Sequence, residues 1–302
     1  MHKLSRGILL AAIIIVLGAA SQVVQADSSE SARLVVILAD RQALRESEGG
    51  ADLAKSFVGL ASTLRDGQSF VLVTVDAPTN AMGPALAGDS TFRSFLEQVD
   101  SRLTSPEPDQ SGDLATAFAE TFNLLGRQRA SSESTVYFIS GGTLLGDLAR
   151  ATDRLTPFLT MFKNEGWPIV TLSLPETNSK MRGFLDRIAS GSGGEAFELS
   201  VPDGFKSMAD KILRDEAKGS LTQLGQRVLS SDEVFTSSLS IAPGTREATL
   251  LFFKQGPYGS LRLSNPSGFE ASAGDRTESL VIETPHVVGW RLIDPVPGQW
   301  RG

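Results

Sequence analysis

The sequence predicts an α/β fold, a doubly wound and mostly parallel sheet, followed by a small all-β sandwich. Between residues 32 and 217, short apolar runs alternate with amphipathic stretches of helical period. This is the pattern of a parallel sheet that is covered by helices on both faces. After residue 219, only short strand-like runs follow, separated by Pro-Gly, Asn-Pro and Gly-Pro turns, which is typical of a β-sandwich. We therefore predict two folded domains, residues 32–217 and 219–302.

The first 26 residues have the three regions of a secretory signal peptide. Lys3 and Arg6 precede an apolar run over residues 8–20, and Val24-Gln25-Ala26 provides small residues at the two positions that a signal peptidase reads. We expect an exported protein, either extracellular, on the cell surface or in the periplasm. An uncleaved amino-terminal anchor is the alternative: the run is short for a membrane span of about 20 residues, but it could stretch to one.

The charge and the absence of cysteine exclude several functions. Removing the two basic residues of the signal peptide changes the formal charge from −7 to about −9. An acidic protein of this kind is poorly suited to binding nucleic acid or an anionic membrane. With no cysteine in the chain, there is no disulfide, thiolate metal site or cysteine nucleophile. No second hydrophobic span follows residue 26, so we expect membrane attachment only through an anchor that is not seen in this chain.

The individual elements of the first domain follow from the apolar patterns. The predicted strands are Arg33–Ala39, Phe70–Val75, Val136–Ser140, Ile169–Leu174 and Ala196–Leu199. The predicted helical stripes contain Leu53, Phe57, Leu60 and Leu64; Leu114, Phe118 and Leu125; Met181, Phe184 and Ile188; and Phe205, Met208 and Ile212. Gly126 is predicted to end the second of these helices, and Thr156-Pro157 to begin a helix through Phe162.

The second domain consists of short strand-like runs. They are "VFTSSLSIAPGTREATLLFF", "GSLRLSNPSGFE", "ESLVIET" and "HVVGWRLIDPVPGQW". The closing "PVPGQWRG" turns towards a further strand with few residues left, so we expect that this chain is part of a longer natural protein. The runs "LRLSNPSG" and "PVPGQW" resemble turns of β-sandwich modules that follow type A domains in bacterial surface proteins and in calcium-activated chloride channel regulators.

Three loops at the carboxyl ends of the predicted parallel strands converge on one crevice. They are "ADRQALRES", "TSPEPDQSGDLATAF" and "YFISGGTLLGD". The order of elements and these loops resemble a von Willebrand factor type A domain over residues 32 to 217. In that family an Asp-x-Ser-x-Ser stretch, a threonine and a last aspartate hold Mg²⁺ or Mn²⁺, which captures a carboxylate of a protein ligand.

The resemblance implies a degenerate metal-ion-dependent adhesion site. Asp40 matches the first aspartate, and Asp113 follows the threonine position. The other ligand positions are occupied by Gln42, Leu44, Gly112 and Gly141. Because Mg²⁺ needs near-octahedral oxygen ligation, we predict no metal and no cofactor. The alternative is a weak Mg²⁺ site around Asp40 and Asp113, with Ser111 and Asp147 compensating.

We expect the crevice to contact a protein partner at the cell envelope directly, without nucleic acid or a small-molecule substrate. The predicted binding residues are Asp40, Arg41, Gln42, Ser111, Asp113, Ser140 and Thr143. This expectation depends on loop placement and on fold analogy.

The sequence gives little support for an enzyme. A secreted serine hydrolase using Ser140 and His286 is the alternative. Ser140 is followed by Gly141-Gly142, which does not match the Gly-x-Ser-x-Gly nucleophile turn. The segment Gly191–Gly194 follows a helix and precedes a strand, which is the reverse of the order in a phosphate-binding loop. We therefore predict a protein without enzymatic activity.

Overall fold

A computed structural model describes residues 9–18, 32–65, 67–89, 91–105, 113–141, 148–216, 221–229, 236–256, 262–268, 270–271 and 279–302. The chain divides into two compact units. The first, which we call the α/β unit, contains Gln25–Val58 and Asp66–Ser200. The second, the β unit, contains Met1–Val24, Gly59–Arg65 and Val201–Gly302. The domain boundaries predicted from the sequence stay a prediction.

The elements are as follows in chain order. The first half contains β1 (Leu9–Gly18), β2 (Leu34–Ala39), α1 (Arg41–Glu46), α2 (Gly50–Leu64), β3 (Ser69–Thr74), β4 (Met82–Leu86), α3 (Phe92–Thr104), α4 (Leu114–Arg127) and β5 (Thr135–Ser140). The second half contains α5 (Leu148–Glu165), β6 (Ile169–Ser173), α6 (Ser179–Ser192), β7 (Ala196–Glu198), α7 (Asp203–Asp215), β8 (Thr222–Leu229), β9 (Ser238–Ile241), β10 (Glu247–Phe253), β11 (Leu263–Ser264), β12 (Glu270–Ala271), β13 (Ser279–Glu283), β14 (Val287–Ile293) and β15 (Gly298–Arg301).

The α/β unit is built on a six-stranded sheet with the order β4-β3-β2-β5-β6-β7. All neighbours are parallel except the edge strand β4, which runs antiparallel to β3. β2, β5 and β6 are buried along their whole length, as expected for strands covered on both faces. The predicted doubly wound α/β fold is therefore confirmed, and all five predicted strands occur within one residue of their expected bounds.

Two predicted helix ends are wrong. Thr156-Pro157 does not begin a helix, because Pro157 lies inside α5. The Thr156 hydroxyl donates to the carbonyl of Thr152, one turn earlier, at 2.9 Å, so it does not act as a cap. α4 also continues through Gly126, and the left-handed residue just after the helix is Arg129, with φ of +52°.

The β unit contains two antiparallel sheets around one apolar core. The sheet orders are β13-β14-β10-β1-β8 and β12-β11-β15-β9. Strands of both sheets contribute to the core, which includes Ile241, Leu250, Leu263, Trp290 and Trp300. This arrangement confirms the predicted all-β sandwich, and β8 is a strand that the sequence analysis did not identify.

The apolar run of the predicted signal peptide forms β1 in this structure. β1 runs antiparallel to both β8 and β10 and lies between them. Cleavage and export stay predictions. None of the helices in the described ranges combines the length and the apolar character that crossing a membrane requires.

Candidate functional site

The candidate site lies at the carboxyl edge of the parallel sheet, where the strand order reverses. The chain leaves β2 towards β3 on one side, whereas β5 pairs on the other side of β2 and leads to β6. Open α/β sheets bind ligands at such a switch point, because the loops on either side diverge and leave a crevice. Asp40 follows β2 and Ser140 ends β5, so these two side chains flank the switch point.

Asp40 is held by the protein through both carboxylate oxygens. Its Oδ1 accepts a hydrogen bond of 3.1 Å from the backbone amide of Ala43, which caps the short helix α1. Its Oδ2 accepts a bond of 2.8 Å from the hydroxyl of Ser140, which is fully buried. Burial raises the pKa of the Asp40 carboxyl above its ordinary value, and the hydrogen bonds from Ala43 and Ser140 oppose this only in part.

Arg41 forms a buried ion pair beside Asp40. Its Nη1 lies 2.5 Å from Oδ2 of Asp76, and the two side chains are only 1% and 6% exposed. Its Nη2 donates to the carbonyl of Ser105 at 3.1 Å. Asp76 follows β3 and Ser105 ends α3, so one guanidinium connects the segments after β2, after β3 and after α3. Arg41 was predicted to line the crevice, but its side chain lies inside the protein and is not available to a partner.

The two positions that match serines in the type A motif face in different directions. Gln42 is exposed, and its amide donates to the Glu46 carboxylate at 3.0 Å, one helical turn later. Leu44 is buried in the core. Of this pair, only Gln42 is exposed to a partner.

Gly141 occupies the position of the last aspartate in the type A motif, and the fold has no room for a side chain there. A Cβ atom at this position would lie 2.7 Å from Oγ1 of Thr177 and 2.9 Å from Cβ of Leu174. The Thr177 hydroxyl is fixed by donating to the carbonyl of Leu174 at 2.6 Å. A carboxylate at position 141 would therefore require the segment after β6 to move.

Asp113 lies at the start of α4 and is partly exposed. Its carboxylate accepts a bond of 2.9 Å from the hydroxyl of Thr116 and lies 2.7 Å from Nη2 of Arg154 on α5. The small burial of the group raises its pKa, but the bonds from Thr116 and Arg154 outweigh this and hold the pKa below its ordinary value. The predicted site residues Ser111 and Thr143, and Gly112 and Asp147, lie outside the described residues.

The described part of this site does not fit a divalent cation well. Asp40 has both oxygens engaged, Asp76 is paired with Arg41, and Asp113 is paired with Arg154. These contacts compete with ligation of Mg²⁺, which needs several oxygens in near-octahedral geometry. Within the described ranges, no three acidic or histidine side chains are grouped closely enough to hold a metal ion.

The sequence analysis missed three residues that determine this geometry. Asp76 could have been found, because "VLVTVDAP" places an acid just beyond a buried strand, as "LVVILAD" does for Asp40. Arg154 and Thr177 have no such signal. Their roles depend on the packing of α5 and of the segment after β6 against the sheet edge.

Ser140 and His286, the two residues of the hydrolase alternative, have different interaction partners in the structure. The Ser140 hydroxyl donates to a carboxylate, and no histidine is among the partners recorded for it in the described structure. His286 is a residue of the β unit, and its Nδ1 lies 3.1 Å from the carbonyl oxygen of Lys254. A serine nucleophile needs an adjacent base that can accept its proton, which is usually histidine.

Comparison with known proteins gives similarities to solved structures only. No protein-family model matches the sequence, and no curated protein matches it. A von Willebrand factor type A protein from Catenulispora acidiphila is 13% identical, with a TM-score of 0.42 over 99% of this chain and 70% of that chain. The manganese-loaded TRAP protein of Plasmodium vivax is 10% identical, with a TM-score of 0.41 over 88% of this chain and 96% of that chain. These superpositions are loose, so the fold assignment rests on the strand order and directions given above.

Proposed function

We propose that this chain is an exported, non-enzymatic protein-binding module of the cell envelope, and that its α/β unit binds a protein partner without a divalent cation or other cofactor. The observation that carries this proposal is the internal pairing of Asp40, Asp76 and Asp113 at the switch point of the sheet. In a metal-dependent adhesion site, such carboxylates would be directed at the ion. Here they bind a hydroxyl and two guanidinium groups of the protein itself.

The surface available to a partner is the outer part of this edge. Gln42 and Arg154 are exposed and Asp113 is partly exposed, whereas Arg41 and Ser140 are buried. Exposed ion pairs contribute little to folding stability, so Arg154 can be changed at small cost to the fold. A partner would be recognised by hydrogen bonds and shape at this surface, which is the function we assign to it.

Metal dependence is tested by titrating Mg²⁺ and Mn²⁺ into the full chain in a calorimeter. We expect no saturable heat from the native protein at millimolar ion concentration. Saturable heat that disappears in Asp40→Ala would contradict the proposal and would support the weak site around Asp40 and Asp113.

The binding surface is tested by capture from a native envelope extract, in the presence of either Mg²⁺ or EDTA. The test variant is Gln42→Ala with Arg154→Ala, and the matched control is Arg127→Ala, an exposed arginine at the opposite end of α4. We expect one specific partner that binds equally in both buffers and is lost only with the test variant. A partner that is lost in EDTA would contradict metal independence. A partner that the test variant still captures would show that binding does not use this surface.

A further inference from the structure

β10 has the environment of a central strand, and β1 is what makes it central. Six of its seven residues are buried, so both faces of the strand are covered. Leu250 and Phe252 lie in the sandwich core, and on the other face the ring of Phe253 lies 5.9 Å from that of Phe205 on α7. β14 pairs with one edge of β10, and β1 pairs with the other.

Removing the signal peptide would leave two unpaired strand edges that face each other. β1 pairs with β10 from Ala12↔Phe253 to Gly18↔Glu247, and with β8 from Leu9↔Leu229 to Ile15↔Thr222. β8 has no other neighbour in the described sheet. Because neighbouring strands lie about 4.8 Å apart, the slot between β8 and β10 would be about 9.6 Å wide, which is the width that one strand fills.

The open edge of β10 would be unfavourable in water. Unpaired backbone amides and carbonyls on a strand buried on both faces lose their hydrogen bonds without gaining full solvation. A long apolar edge also pairs readily with another chain. β8 and β10 are both antiparallel to β1, so they run parallel to each other. Closing the slot directly would require β8 to move by about one strand spacing and to form a parallel ladder.

We propose that the slot between β8 and β10 is a strand-binding site in the mature protein, filled by an apolar β-strand of a partner polypeptide. The occupant matches the segment that it replaces: about ten residues, rich in Ile and Leu, uncharged within the strand, and antiparallel to both neighbours. Basic flanks, like the Lys3 and Arg6 that precede β1, would complement the acidic chain. This inference rests on the proposed export and cleavage, but not on binding at the α/β unit.

The test uses two forms of the protein, residues 1–302 and residues 27–302. The probe is a fluorescein-labelled peptide, LLAAIIIVLG, made soluble by terminal lysines. The matched control peptide has proline in place of the residue equivalent to Ile14, which removes one ladder donor. We expect saturable anisotropy change with 27–302, at least about tenfold weaker binding of the proline peptide, and no binding to 1–302, where the slot is already filled.

Hydrogen exchange at β10 distinguishes the alternatives. The amides of β10 should be protected in 1–302, exchange faster in 27–302, and be protected again when the peptide binds. Protection in 27–302 without peptide would mean that β8 has closed on β10 and would overturn the proposal. Protection that grows with protein concentration would mean that a second copy fills the slot, and would also overturn it.

The proposal can still be tested if the 27–302 form folds poorly without the peptide. If the form refolds only when the peptide is present, the result supports the proposal. If it refolds in neither condition, the strand is not replaceable and the proposal fails. The peptide test is independent of the Gln42 and Arg154 capture experiment, so failure of one leaves the other intact.

Discussion

Replacing Arg41 by methionine should destabilise the α/β unit strongly. Methionine keeps much of the apolar stem but removes the guanidinium. The Asp76 side chain, which is only 6% exposed, then loses its ion pair with Arg41, and the Ser105 carbonyl loses that donor. Removing one partner of a buried ion pair costs about 3–5 kcal/mol. We expect a similar loss for Asp76→Asn, and a double variant that loses less than the sum because no unpaired charge remains.

Hydrogen exchange measured by mass spectrometry is the suitable assay, since it reports on each unit separately. Peptides covering β2 and β5 should exchange roughly two decades faster in Arg41→Met, because every 1.4 kcal/mol is about tenfold in an opening equilibrium. Peptides of β10 and β14 provide the internal control. A change of less than about 1 kcal/mol in both single variants would refute the reasoning, because it would show that Arg41 and Asp76 are solvated.

Three further predictions concern the same unit. Asp40→Asn should be more stable than the native protein near neutral pH and should lose this advantage in acid, as measured by urea unfolding across pH. The reason is that the pKa of Asp40 is raised in the folded state. Such a carboxyl contributes stability below its unfolded-state pKa, and this contribution is lost as the pH rises through the folded-state pKa. An advantage that grows in acid would contradict this. Gly141→Ala should cost about 1–3 kcal/mol in thermal or urea unfolding, because its Cβ would lie 2.7 Å from the Thr177 hydroxyl. Gly183→Ala in α6, with nothing within 4 Å, is the control and should stabilise by about 0.5–1 kcal/mol. Phe118→Ala should cost about 3–5 kcal/mol in urea unfolding, because Phe118 is fully buried and its ring lies 5.3 Å from that of Phe138. A loss below about 1 kcal/mol would show that Phe118 is not part of the core.

The order of strands and helices in the α/β unit could be predicted because its central strands are covered on both faces. The run Leu34–Ala39 is apolar at every position, which distinguishes it from surface elements. β4 was missed because Gly83 and Pro84 break its pattern, and proline is tolerated there only because β4 is an edge strand. α3 was missed although Phe92, Phe95 or Leu96, Val99 and Leu103 give a helical stripe.

The chemistry of the site was harder to predict than its place. The type A motif located Asp40 at the carboxyl edge, but local sequence does not tell whether an acid meets a metal, a hydroxyl or a guanidinium. Asp76 lies 35 residues after Arg41, and Ser105 lies 64 residues after it. Such pairs form only when the sheet brings the segments together. The Thr156-Pro157 signal failed for a related reason: Leu155, Leu159 and Phe162 continue one buried stripe through α5, and this packing outweighs the local preference of proline.

The acidic side chains described at the switch point bind groups of the protein itself. A guanidinium is always charged and offers several donors in a fixed plane, so Arg41 neutralises Asp76 and also binds a backbone carbonyl. Arg154 pairs with Asp113 at the surface. Asp40 has no cation among its hydrogen-bond partners in the described structure, and burial raises its pKa. Because a side chain at position 141 is crowded and Asp76 and Asp113 are each paired with an arginine, a single substitution towards the type A motif should not be enough to give metal binding.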